Sequence, residues 1–335
     1  MDEGMGCAPE ADRIVANQPF SVAGIGQCSL DFLCTVDRYP GPDTKCEFRE
    51  LVIQGGGPVA TALVALARWG CSTRFSGVVC PDSFGSQILS GLEEEGVDVR
   101  FVTRRAGGRS QFAFICIDEN GKRTIFWRRP EALPLQPNEV PEDFLEGIRV
   151  LHLDGLFAEA SRSAALKARR LGIPVVLDAG AVRPGMLSLI RHTDHLICAE
   201  EFARQFDPGA PLSAVLRKLK QMGPQVVCVT LGERGSACLW EDTPYHLPAL
   251  PVRARDTTGA GDVFHAGYIY GLFRSWPPGD RFRWAAAAAA LSCLQIGGRS
   301  GIPSPASVEE RLGSLGPYRV LADDSPASRQ ESDRR

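Results

Sequence analysis

The 335-residue chain lacks long hydrophobic runs, basic blocks and closely spaced cysteines, and each absence removes a class of protein. Even the apolar segment Ala285 to Ile296 is far short of a membrane span and is closed by Gly297-Gly298. Lys and Arg number 37 against 40 Asp and Glu, the net charge is -3, and no cationic cluster exceeds a pair such as Arg104-Arg105. No nucleic-acid or membrane partner is expected from such a surface. Eleven cysteines are scattered without a C-x-x-C pair, several inside apolar runs. Free buried thiols in a reducing compartment follow more naturally than a disulfide framework or a zinc site. His192, His195, His246 and His265 also lack metal-ligand spacing. The first twenty residues are acidic and polar, without the basic start and apolar core of a signal peptide, so a cytoplasmic location is expected.

What is present is a chain with 44% hydrophobic and 23% charged residues, enough to bury a large α/β core. Short β-branched runs alternate with helix-like stretches: Phe20 to Gly26, Pro58 to Trp69, Thr73 to Val79, Ser83 to Glu95, Val150 to Asp154 and Ser161 to Leu171. Pro174 to Asp178, His195 to Ala199, Pro211 to Gln221 and Val226 to Leu231 continue the rhythm. It predicts an α/β three-layer sandwich in which a mostly parallel central sheet is covered by helices on both faces. Two stretches, about 33-53 and 98-128, break it. The second carries the alternation Gln111 to Ile117, a turn at Asp118-Glu119-Asn120-Gly121 and a return run Thr124 to Trp127. These predict a small projecting β-sheet, serving as a lid, an oligomer interface or both. Residues 1-19 and 321-335 read as disordered tails around a single domain over 20-320.

The strongest chemical signal is Asp256-Thr257-Thr258-Gly259-Ala260-Gly261-Asp262, after which Phe264, Gly267, Tyr268 and Gly271 fall at helical spacing. A glycine-rich turn feeding a helix start offers free N–H groups and the positive end of the helix dipole to an anion. Phosphoryl transfer needs positioning, charge stabilisation and a carboxylate to accept the proton of an attacking hydroxyl. Asp262 is the expected base, with Gly259, Ala260 and Gly261 as N–H donors; the competing reading makes Asp262 a helix cap. Other phosphate machinery is excluded. Gly121-Lys122 is followed by Arg123, not by a P-loop Ser or Thr, and Gly24-Ile25-Gly26 meets Ser29 where a dinucleotide fingerprint needs glycine.

DTTGAGD with its helix resembles the signature of the ribokinase-like (PfkB) carbohydrate kinase family, and further segments resemble it in order over roughly residues 20 to 312. They are Gly24 to Asp31, Gly55 to Gly70, Gly77 to Gly85, Val229 to Gly235 and Gly297 to Pro303. The resemblance implies an ATP-dependent, alcohol-accepting phosphotransferase that needs Mg²⁺. It implies sugar contacts from Asp31, Gly55, Gly56, Gly57 and Thr61. Nucleotide contacts are expected from Thr230, Gly232, Gly235, Thr258, Gly259 and Gly261. Asp256 is the candidate ligand of a monovalent cation, K⁺, and two copies are expected to pair through the lid. Physical readings run beside these: three glycines leave no Cβ between backbone and ligand, and Pro58 suits a first helical position.

The chain departs from the family in two places. Thr61 replaces an Asn that often touches the sugar, losing an amide. In Ala199-Glu200-Glu201-Phe202, Ala199 and Phe202 stand where many members have the Asn and Glu of N-x-x-E. Glu200 or Glu201 is left as a metal contact through water, or as a plain surface acidic pair. Asp178 with Arg183 is read either as near the phosphates or as an ordinary loop ion pair. Three functions follow: a sugar kinase, a nucleoside kinase with an aromatic wall for the base, and a non-catalytic sugar- or nucleotide-binding relative. The intact Gly259 to Asp262 loop favours an enzyme.

Overall fold

In the computed structural model, residues 21–128 and 134–321 are described. The central sheet has ten strands. From one edge they run Val97–Asp98, Ser72–Ser76, Ser21–Ile25, Val150–Leu153, Val175–Ala179, His195–Ala199 and Val226–Thr230, all parallel. Ser236–Trp240, Thr243–Leu247 and Arg319–Val320 then close the sheet antiparallel. The parallel strands are apolar on both sides because both sides are covered. Alternate residues feed two cores. Val22, Val150, Val176 and Ile197 pack against the helices Pro58–Arg68, Ala260–Phe273 and Pro278–Ser292, while Ala23, Leu151, Leu177 and Leu196 meet Ala158–Arg170 and Leu212–Gln221. The expected three-layer sandwich is the observed one.

A second sheet of four strands, in the order Glu50–Gly56, Ser29–Thr35, Phe112–Ile117 and Arg123–Arg128, stands off the body as the expected lid. Its limits differ from the sequence reading. The lid takes in residues from Ser29, so Asp31 lies on it, whereas 98–111 mostly serve the body: Val97–Asp98 is the edge of the main sheet and Thr103–Arg104 pairs with Val78–Val79. The mixed segment 98–104 carries no helical period, and only its pairing partners decide where it lies. One lid face packs Leu33, Ala113, Ile115 and Ile117 on Ile296. Of the expected tails, residues 1–19 and 322–335 lie outside the described residues, and Leu321 is docked by a bond from its N–H to the Pro244 carbonyl (2.9 Å).

Local chemistry fixes the elements that carry the site. Pro58 starts its helix at the first turn, preceded by Gly57 at φ 99°, a conformation that favours glycine. The Ser83–Glu94 helix is capped by Asp82, which accepts from the Gly85 N–H at 2.7 Å. The alanine-rich helix Pro278–Ser292 lies so close to Ala260–Phe273 that a Cβ on Gly267 would stand 2.7 Å from the Ala285 Cα. Gly267→Ala is therefore expected to force the two helices apart and cost about 1–3 kcal/mol of stability. Urea denaturation checks this, and an unchanged midpoint would contradict it.

Candidate active site

The parallel strands all point their carboxyl ends at one edge, where an open α/β sheet binds ligands. Asp154 follows Val150–Leu153, Asp178 sits within Val175–Ala179, and the loop 256–259 delivers the start of the Ala260–Phe273 helix to the same edge. Asp256 anchors this loop. Its Oδ1 accepts from the Thr258 N–H (2.8 Å) and hydroxyl (2.7 Å), and its Oδ2 from the Gly297 N–H (2.8 Å). Gly259 adopts φ 75°, and a Cβ there would lie 2.5 Å from the Gly298 Cα, so the closing turn and the loop fit only as glycines. A Cβ on Gly261 would meet nothing within 4 Å, so this backbone faces open space. Ala260, Gly261 and Asp262 occupy the first turn, where N–H groups have no intrahelical acceptor.

Asp262 itself is held well above the usual carboxylate pKa, first by burial and then by the charges of Asp178 and Asp31, with Arg123 opposing. Burial likewise raises Asp31 and Asp178. Asp31 is oriented by the Ser29 hydroxyl, which donates to Oδ1 at 2.7 Å. Asp178 lies 3.7 Å from His265 Nδ1, and that imidazole also reaches the Gly261 carbonyl at 2.7 Å. Asp154 accepts from the Gln27 N–H (2.8 Å) and the Leu156 N–H (3.0 Å).

The three glycines have more specific reasons than open access for a ligand. A Cβ on Gly55 would strike Arg299 at 2.2 Å, one on Gly56 would strike Asp31 at 2.0 Å, and one on Gly57 would strike the Gln27 carbonyl at 2.2 Å. Thr61 is buried under the closing turn, its methyl 3.6 Å from a Cβ built on Gly298. On the nucleotide side, Thr230 ends its strand with its hydroxyl 3.4 Å from the Cys198 carbonyl. Gly232 (φ 61°) faces open space, whereas Gly235 (φ 90°) backs onto the Leu247 carbonyl.

The acidic pair after Ala199 is differently placed. Glu200 pairs with Arg234 at 2.5 Å, beside the Gly232–Arg234 turn, while Glu201 bonds Arg204 and Gln205 on its own helix. Phe202 is fully buried in the core, so the motif's final carboxylate has become packing. Among the described residues no three His, Cys, Asp or Glu side chains form a metal cluster. Among the described residues Arg183 forms no ion pair with Asp178, which faces His265 instead. Two arginines were missed by sequence reasoning. Arg123, at the start of the lid's return strand, donates to the Thr257 hydroxyl and so ties lid to loop. The return strand Arg123–Arg128 is exposed throughout and its sequence does not alternate, so nothing in the sequence singled this residue out. Arg299 lay unremarked within the closing turn.

These features have counterparts in known proteins. The pfkB family carbohydrate kinase pattern matches residues 20–305, and the chain belongs to that family. The ribokinase of Lactococcus lactis subsp. lactis is 26% identical over 300 residues, covering 88% of this chain and 97% of its own. The fructokinase of Klebsiella pneumoniae is 35% identical over 246 residues, 68% of this chain and 79% of its own. The crystal structure of a putative ribokinase from Agrobacterium tumefaciens superposes with a TM-score of 0.80 at 27% identity, over 88% of this chain and 98% of that one.

The raised Asp262 has a consequence for stability. A carboxyl whose folded pKa exceeds its unfolded one favours the fold while protonated, and that contribution is lost as pH rises from the ordinary value, about 3.9, through the folded one. Asp262→Asn is therefore expected to melt above wild type at neutral pH, with the gap closing in acid. Scanning calorimetry across that range decides it, and a variant less stable than wild type at neutral pH would refute the crowding of charge.

Proposed function

We propose that the chain is an ATP-dependent sugar kinase in which Asp262 removes the proton from an acceptor hydroxyl as that oxygen attacks the γ-phosphoryl group. One observation carries this reading: a raised carboxyl stands in the first turn of a helix beside Gly261, on which a Cβ would meet nothing within 4 Å, within reach of the charge of Asp31. A raised pKa makes Asp262 a stronger proton acceptor once ionised. The N–H group of Gly261, with that of Ala260 shared from its 3.3 Å bond to the Thr257 carbonyl, stabilises charge growing on the transferred group, and Asp31 grips sugar hydroxyls as a bidentate acceptor. Membership of the pfkB family, and its similarity to a ribokinase and a fructokinase, support a sugar as acceptor.

ATP lies along Thr230, Gly232 and Gly235 with its phosphates toward Thr258, Gly259 and Gly261. Mg²⁺, when bound, supplies charge neutralisation on the phosphates, and Glu200 is the carboxylate placed to hold a water of its shell. Gly55 and Thr61 act from behind the sugar, by making room and by packing, more than by direct contact. Asp256, with both oxygens already accepting, serves a K⁺ ion only as a shared ligand. The ten described cysteines are free, in keeping with a reducing cytoplasm.

A dimer through the lid also belongs to this reading. Strand register sets Ile53, Phe32, Phe114 and Phe126 in one row across all four strands, on the face opposite Leu33 and Ile115. Ile53, Phe114 and Phe126 are 50%, 51% and 63% exposed. An apolar row of this kind on a sheet marks an interaction surface, and a second copy offers a matching one.

Three measurements test the proposal. Asp262→Ala is expected to lower turnover by about 10²–10⁴-fold while ATP still binds, and near-normal turnover would sink the base assignment. ATP consumption is read against fructose, ribose, ketodeoxy acids, sulfosugars and nucleosides with Mg²⁺, with and without K⁺; a response to nucleosides alone would replace sugar by nucleoside as the acceptor. Sedimentation equilibrium should show a dimer that Phe114→Asp converts to monomer, and a monomeric wild type would remove the lid interface.

A further inference from the structure

The lid is built in two halves. Glu50–Gly56 lies antiparallel to Ser29–Thr35, and Arg123–Arg128 lies antiparallel to Phe112–Ile117. Among the described residues, strand pairing joins the halves only along the parallel seam between Ser29–Thr35 and Phe112–Ile117. Asp31 rides on one half and Arg123 on the other. Cys34 and Cys116 face each other in register across this seam, with their sulfurs 3.6 Å apart.

Both thiols lie on the outer face, two residues along from Phe32 and Phe114, and both are half-buried. Their row ends in Leu51 and Thr124, which are exposed. Neighbouring strands are about 4.8 Å apart, within the Cα separation that a disulfide spans. The bond itself is about 2.0 Å long, so the sulfurs have about 1.6 Å to travel. A second pair, Cys228 and Cys238, is closer still at 3.3 Å, but it is sealed in the core where no oxidant reaches it.

We propose that Cys34 and Cys116 are a modification site, a dithiol that a peroxide oxidises to a disulfide stapling the two halves of the lid together. Cys34 holds its proton: burial first, then its contact with Cys116 and the charges of Cys116 and Cys46, push its thiol up to about 11. The first attack therefore falls to Cys116 as thiolate. Its sulfur bonds the near peroxide oxygen as the O–O bond breaks, and the far oxygen takes up the proton that the thiol gave and leaves as water or an alcohol. The Cys34 sulfur then attacks the sulfenic sulfur. The S–S bond forms, the S–O bond breaks, and the hydroxyl leaves with the Cys34 proton as water. Two electrons pass from the thiols to the peroxide. The bond spans a sequence separation of 82, so it strongly restricts the opened seam and holds Asp31 and Arg123 on one rigid lid.

The test is oxidation of the reduced full chain with hydrogen peroxide, over a range of protein concentrations because the contact row proposed above lies next along the same face. Wild type is expected to lose two thiols and the mass of two hydrogens, to yield a peptide linking Cys34 to Cys116, and to recover with dithiothreitol. Amide exchange within Ser29–Thr35 and Phe112–Ile117 should slow roughly tenfold or more in the oxidised form. Cys34→Ser should leave Cys116 as a sulfenic acid that dimedone traps, with lid exchange unchanged by peroxide, while Cys46→Ser should oxidise as wild type does. An unchanged thiol count at every concentration, a bond to Cys46, a bond between two copies, or equal exchange in the two forms overturns the site. Neither ATP nor sugar takes part, so the outcome is independent of the kinase reading.

Discussion

The site depends on the carboxylate of Asp256, which binds two parts of the chain that are remote in sequence. It accepts from Thr258 at the head of the glycine-rich loop and from Gly297 in the closing turn. With the loop pinned to the turn, Gly259 meets Gly298 backbone to backbone and Thr61 fills the space beneath. The first turn of the Ala260–Phe273 helix is then fixed at the carboxyl edge of the sheet, its Ala260 N–H on the Thr257 carbonyl at 3.3 Å and the next N–H groups without an intrahelical acceptor. A short loop of this kind would otherwise sample many conformations, and the entropy of ordering it is met by these three bonds.

Charge crowding is the second constraint. After burial, Asp178, Asp31 and Asp154 raise Asp262 by their charge, and Arg123 is the cation that opposes the rise. That arginine arrives on the lid and reaches the loop at Thr257. The position of the lid therefore contributes, behind burial and the neighbouring carboxylates, to the proton affinity of Asp262.

Much of this was legible in the sequence. The strand and helix rhythm gave the sandwich because buried parallel strands need apolar residues on both faces, and the DTTGAGD segment marked the loop because only glycine tolerates its backbone. Other features were not legible, for equally physical reasons. Gly55 and Gly56 read as room for a ligand, whereas their missing side chains make room for Arg299 and Asp31, a distinction that needs coordinates. Phe202 read as a lost metal contact, and its burial shows what took that place. Residues 98–111 read as lid because they lack a period, but pairing partners decide their sheet, and partners are set by the whole fold.

The lid joins Ser29–Thr35 to Phe112–Ile117 in parallel, side by side yet drawn from distant parts of the chain. Parallel neighbours cannot be linked by a hairpin, so their ladder closes a loop that holds the whole first α/β segment. The hydrogen bonds of the lid are thus won late, after loop closure over many residues, and rest on the body's prior order. In kinetic terms the cover over the site is a late addition to the fold, and its opening need not disturb the core that carries Asp262.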